Sequence, residues 1–174
     1  MTARHFQRDF LPGDLIGFSR PSIRDWALQV GGLAFPYVWP FDIMGIAGLS
    51  NIGLVCHNQV YVDNWGVAEP VLDIPWSLDY ITKLSWENIY AFPGRVWHIP
   101  LSRELYNHEA ARLNRLVVSC VTDSEAGHSL DSTRFVALIL ANLGVLNRSK
   151  FVTPTGLYRY CVRHGSHLSR QLLK

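Results

Sequence analysis

The chain has 174 residues, of which 48% are hydrophobic and 17% charged, with a formal charge of +2. That balance excludes a disordered chain, and it gives no electrostatic case for nucleic acid as a partner. The length suits one domain, residues 1–174, with room for a real core.

In chain order, Phe10 to Phe18 (FLPGDLIGF) reads as a Pro12-Gly13 turn followed by a strand. Ser22 to Val30 places Ile23, Trp26, Ala27 and Val30 at helical spacing, with Ser22 as a cap. Leu33 to Leu49 is rich in aromatics, holds Pro36 and Pro40, and has Asp42 as its one charge. Two readings of this insertion stay open: a lid packed over the core, or an apolar patch that docks a protein partner. Asn51 to Val62 predicts a hairpin with strands Ile52–Cys56 and Gln59–Val62 and a turn at His57-Asn58. Val67 to Leu72 is a further candidate strand, and Trp76 to Trp86 a short helical or irregular segment. Gly94 to Ile99 reads as a strand closed by Pro100. Ser102 to Val121 is the longest amphipathic stretch, a helix with Ser102 as its cap.

Gly127 to Gly144 (GHSLDSTRFVALILANLG) is the centre of the molecule. Phe135, Val136, Leu138, Ile139, Leu140 and Leu143 cover more than one helical face, which predicts a buried helix. Ser129, Asp131, Ser132 and Thr133 can cap its start, and Gly144 suits a left-handed end. Ser132 therefore stands where a helix dipole favours negative charge, although a Ser there also serves as a plain cap. Val152 to Leu157 reads as a turn, and the remainder as a helix or tail rich in Arg and His. Hairpins followed by helices imply an α+β fold.

Several absences are expected as well. The first residues hold no apolar signal core, so synthesis in the cytoplasm without secretion by that route is expected. No uninterrupted apolar run approaches about 20 residues, so no membrane span is expected. Cys56, Cys120 and Cys161 are odd in number and lack CxxC spacing, which fits buried, reduced thiols. No His, Cys or carboxylate cluster has ligand spacing, so neither a metal nor another cofactor is expected.

Four patterns occur in a particular order: PGDLI at Pro12–Ile16, SNIGLV at Ser50–Val55, VYVDNWG at Val60–Gly66 and STRFVALILANLG at Ser132–Gly144, with TPTGL at Thr153–Leu157 as a coda. From Pro12 to Leu157 the chain resembles the circularly permuted NlpC-type branch of the papain-like fold. Relatives in that branch include bacterial amidase-like hydrolases of peptidoglycan, a poxviral protein and the lecithin:retinol acyltransferase group. The resemblance implies a small antiparallel sheet packed on a central helix, and acyl-transfer chemistry. In the family a cysteine at the helix N-terminus attacks, a strand histidine is the base, and a third polar residue orients it.

Carried over position by position, the cysteine falls on Ser132, the histidine on Asn51 and the third residue on Asp63. A serine hydroxyl depends on a general base more than a thiol does, and an amide side chain has no group to titrate. The double departure implies a catalytically inactive papain-like domain, serving as a structural or interaction component of a phage or viral particle. Two alternatives accompany it. One is a cell-wall hydrolase using Ser132, with His128, four residues upstream, as a rescue base. The other is a module that binds peptidoglycan or lipid without cutting it.

Overall fold

The computed structural model describes residues 10–19, 48–57, 59–63, 81–92, 94–125, 131–147, 151 and 153–173. The candidate helix at Ser22–Val30, the candidate strand at Val67–Leu72 and residues 33–47 of the aromatic stretch lie outside them, as does His128.

Among the described residues, six strands and four helices follow in the order β1 (Leu15–Ser19), β2 (Asn51–Cys56), β3 (Gln59–Asp63), β4 (Ile81–Leu84), α1 (Trp86–Ala91), β5 (Arg95–Ile99), α2 (Asn107–Glu125), α3 (Ser132–Asn142), α4 (Pro154–Arg163) and β6 (Gln171–Leu172). The strands form one sheet in the order β4-β3-β2-β1-β5-β6. Every neighbouring pair is antiparallel. The architecture is α+β, as the hairpin pattern implies.

The sheet buries both faces. Leu15, Ile52, Leu54, Cys56 and Ile99 pack with Leu113 and Val117 of α2, Phe135, Val136, Ile139 and Leu140 of α3, and Leu157 and Cys161 of α4. Ile16, Phe18, Val55, Val60, Val62 and Val96 point the other way, onto Phe10, Trp86, Ile89 and Phe92. Successive strand residues alternate between faces, so strands covered on both sides read as continuous apolar runs. LIGF at 15–18 and IGLVC at 52–56 are such runs. Each such large side chain contributes about 1.5–3 kcal/mol when fully buried.

Two turns fix the middle of the sheet. Gly13, at φ +97, carries the chain into β1 while its N–H bonds Val55 O at 3.0 Å. His57 takes φ +46 in the tight turn joining β2 to β3, where the sequence places one. At the end of α3, Gly144 adopts φ +74. The Val145 N–H then reaches back to Leu140 O and the Gly144 N–H to Ala141 O, a Schellman closure.

Three details correct the sequence reading, and one selects Asp131 from its four candidate caps. The segment ending at Trp86 contains strand β4, and α1 begins at Trp86 with Ser85 as its cap. The amphipathic helix starts at Asn107 rather than after Ser102. Arg103 grips the Glu109 carboxylate through two 2.7 Å bonds, and that carboxylate also accepts the Tyr106 N–H at 2.9 Å. A Glu in the first turn reaching back to the N–H ahead of the helix is one half of a capping box. Asp131, not Ser132, caps α3 by accepting the Arg134 N–H at 2.9 Å. Finally, Pro154–Leu157 is not a turn but the first turn of α4, capped by Thr153, with Pro154 at the position where its missing N–H costs nothing.

Candidate functional site

The start of β2 meets the N-terminus of α3. Ser132 is the first residue of that helix and is 1% exposed, while Asn51 opens β2 at 5% exposure. The Ser132 hydroxyl donates to the Asn51 amide oxygen across 81 residues of chain. The same oxygen accepts the Ile52 N–H at 2.8 Å. The structure therefore brings together the two positions that the motif comparison pairs.

Neighbouring bonds hold this junction from other sides. Thr155, in the first turn of α4, accepts the Leu49 N–H at 2.8 Å. The Ser50 N–H donates to Phe18 O on β1 at 2.8 Å. Three elements thus tie down residues 49–51, and the TPTGL coda is one of them.

Asp63 ends β3 opposite Ile81. Because β3 runs antiparallel to β2, its end lies at the same end of the hairpin as Asn51. His128, the proposed rescue base, lies outside the described residues. The five described histidines make contacts elsewhere or face solvent. His57 is exposed in the hairpin turn. His108 stacks on Tyr106 and His164 packs on Tyr160. His98 and His167 belong to a second buried cluster.

That cluster sits at the other end of the β1–β2 ladder. Asp14, 2% exposed, accepts the His98 Nε2–H at 2.8 Å and the N–H groups of Leu11 and Leu101 at 3.0 and 2.8 Å. Phe10 lies edge-on to the His98 ring at 4.4 Å. His167, also 2% exposed, donates from Nε2 to Gly13 O at 3.1 Å. Burial pushes His167 down to about 4, against weaker opposing pulls from the Gly13 carbonyl and the Asp14 charge. Ser166 Oγ stands 3.2 Å from His167 Nδ1, yet it also donates to Cys161 O at 3.0 Å. A hydroxyl has one proton, so a hydroxyl bonded to that carbonyl is not poised for transfer to the ring.

Sequence reasoning found the strand carrying His98 but not its partner, which is 84 residues away. It missed His167 altogether. The acid in PGDLI directly after a Pro-Gly turn was the available signal, since a buried turn carboxylate needs donors.

Two of the three cysteines match the expectation of buried thiols, and Cys120 is half-buried. All three are free, with Cys56 and Cys161 buried. Burial pushes each of those two up to about 11, which keeps both protonated at neutral pH. Among the described residues no group of three His, Cys, Asp or Glu can hold a metal ion, and no helix is long and apolar enough to cross a membrane.

Compared with known protein families, curated proteins and solved structures, the chain gives no match.

Proposed function

We propose that this chain is a papain-like domain of the permuted NlpC type that has lost its chemistry and works as a structural or interaction component. One observation carries the reading. The hydroxyl at the nucleophile position gives its proton to an amide oxygen, in a place closed to solvent. A neutral amide does not take up that proton at ordinary pH, so the hydroxyl stays a hydroxyl. Support for the fold comes from the motif order together with the meeting of β2 and the α3 N-terminus. In this reading the domain is an assembly or adhesion part of a phage or viral particle, a setting where an ancestral wall-cleaving module persists without cleavage. In the same reading the aromatic stretch Leu33–Leu49, with Phe35, Tyr37, Trp39 and Phe41, meets the protein partner.

The test is incubation of the purified protein with peptidoglycan sacculi and with a fluorogenic ester. The expected result is no release of peptide or fluorophore above buffer from either wild type or Ser132→Ala. Turnover by the wild type that disappears in Ser132→Ala makes the chain a serine hydrolase and overturns the reading. Sedimentation with sacculi without release identifies peptidoglycan as the bound partner.

A further inference from the structure

Charge is unevenly divided along this chain. Residues 1–131 hold nine Lys and Arg against fourteen Asp and Glu, whereas residues 132–174 hold seven Lys and Arg and no acid. A net charge of +2 hides a C-terminal quarter carrying +7. Such asymmetry marks an interaction with a polyanionic surface.

The fold gathers part of that charge at the β6 edge of the sheet, beside α4. The Arg170 guanidinium lies 4.3 Å from the Trp97 ring centre and 5.5 Å from that of Tyr158, and the Arg170 N–H bonds the Tyr158 hydroxyl at 3.4 Å. Leu172 pairs with Trp97 across the ladder, which places it on the same side of the sheet as that ring. Arg159 and Arg163 are exposed and one turn apart on α4, with Arg159 next to Tyr158 in sequence. Within the same stretch, Leu168 is 51% and Leu172 57% exposed.

Exposed leucines decide between polyanions. A nucleic acid offers phosphates and base faces but no hydrocarbon into which an aliphatic side chain can sink. An acidic bilayer offers both a negative surface and an apolar layer beneath it. We infer that the α4–β6 face, with Arg159, Arg163, Arg170, Leu168 and Leu172, docks on a membrane surface rich in acidic phospholipid. Arginines meet the headgroups while the two leucines enter the interface. This contact is separate from the Ser132–Asn51 junction and does not depend on whether that junction is inert.

The experiment is flotation of the whole chain with vesicles of phosphatidylcholine alone and of phosphatidylcholine mixed two to one with phosphatidylglycerol. The chain should float with the acidic vesicles and not with the neutral ones. R159Q/R163Q should lower the partition coefficient by about 25-fold, since each basic residue near an acidic surface contributes about fivefold. L168S/L172S should weaken binding at high salt, where the electrostatic part is screened and the apolar part remains. All five positions are on the surface or partly so, and circular dichroism verifies that the variants are folded. Absence of flotation with acidic vesicles at low salt overturns the inference. So does equal flotation with both vesicle types, or acidic binding that neither double variant weakens. Retention of duplex DNA at physiological salt without vesicle binding assigns the face to nucleic acid instead, and equally overturns it.

Discussion

The two ends of the β1–β2 ladder are both polar and both buried, yet they are built from opposite chemistry. At the Asn51 end, a hydroxyl meets an amide, and neither changes charge across the pH range in which proteins fold. At the Asp14 end, a carboxylate collects an imidazole and two backbone N–H groups, and a second imidazole is sealed nearby. Groups able to move protons are thus present, but they are spent on tying the turn, β5 and the C-terminal stretch together. Asn51, which accepts the Ser132 hydroxyl, has no titratable group. The two buried polar sites thus differ in whether the side chains seen to bond there can titrate.

The sharpest way to break the comparison is Asp14→Ala. It leaves the His98 ring and two N–H groups without their acceptor in a dry site. Removing one partner of a buried pair costs about 3–5 kcal/mol, and urea unfolding should show a loss of that size. A loss under about 1 kcal/mol would mean that the cluster is incidental.

Next in size is the acid response of His167. Its folded pKa is depressed from 6.5 to about 4, so the unfolded chain binds a proton that the folded chain refuses. This contribution is fully present above about pH 6.5 and is lost progressively as the pH falls from there toward 4. It amounts to at most about 3 kcal/mol at 1.36 kcal/mol per pH unit. Unfolding free energies measured at pH 7 and pH 4.5 should differ less in His167→Gln than in the wild type; an unchanged difference would place the titration elsewhere.

The Asn51 end should respond more gently. Ser132→Ala removes the hydrogen bond to Asn51, which keeps the Ile52 N–H, and a loss of about 1 kcal/mol is expected. Asn51→Ala removes the acceptor that the Ser132 hydroxyl and the Ile52 N–H share and should cost about 1–3 kcal/mol. If the double variant loses no more than Asn51→Ala alone, the two residues act as one unit. Smallest of the set is Asp131→Ala, which removes the α3 cap at about 1 kcal/mol, read from the thermal midpoint. A shift larger than that for Ser132→Ala would make the cap, not the Ser132 bond, the main tie at this helix end.

Much of the frame was legible in the sequence. The β2–β3 hairpin shows because two apolar runs flank a two-residue turn, and α3 shows because its apolar residues continue around the helix to Gly144. Two features misled the reading of α4: Pro154 and Gly156 both suggest a turn, and Thr153 is revealed as a cap by its bond to the Gly156 N–H. Strand β4 is short and has one buried residue, Ile81, so its periodicity is faint. Ser132 and Asn51 could be paired through motif order alone. The Asp14–His98–His167 cluster could not, because its members are 84 and 153 residues from Asp14 and no local pattern links them.

The central claim is that Ser132 is a structural donor and not a nucleophile. Intact-mass spectrometry of the native chain after exposure to an alkyl fluorophosphonate at pH 8 tests it most directly, because that reagent phosphonylates activated serines, with loss of fluoride, and spares ordinary ones. The account predicts an unchanged mass, with Ser132 unmodified in the peptide map. A single adduct mapped to Ser132, absent from Ser132→Ala, would contradict it.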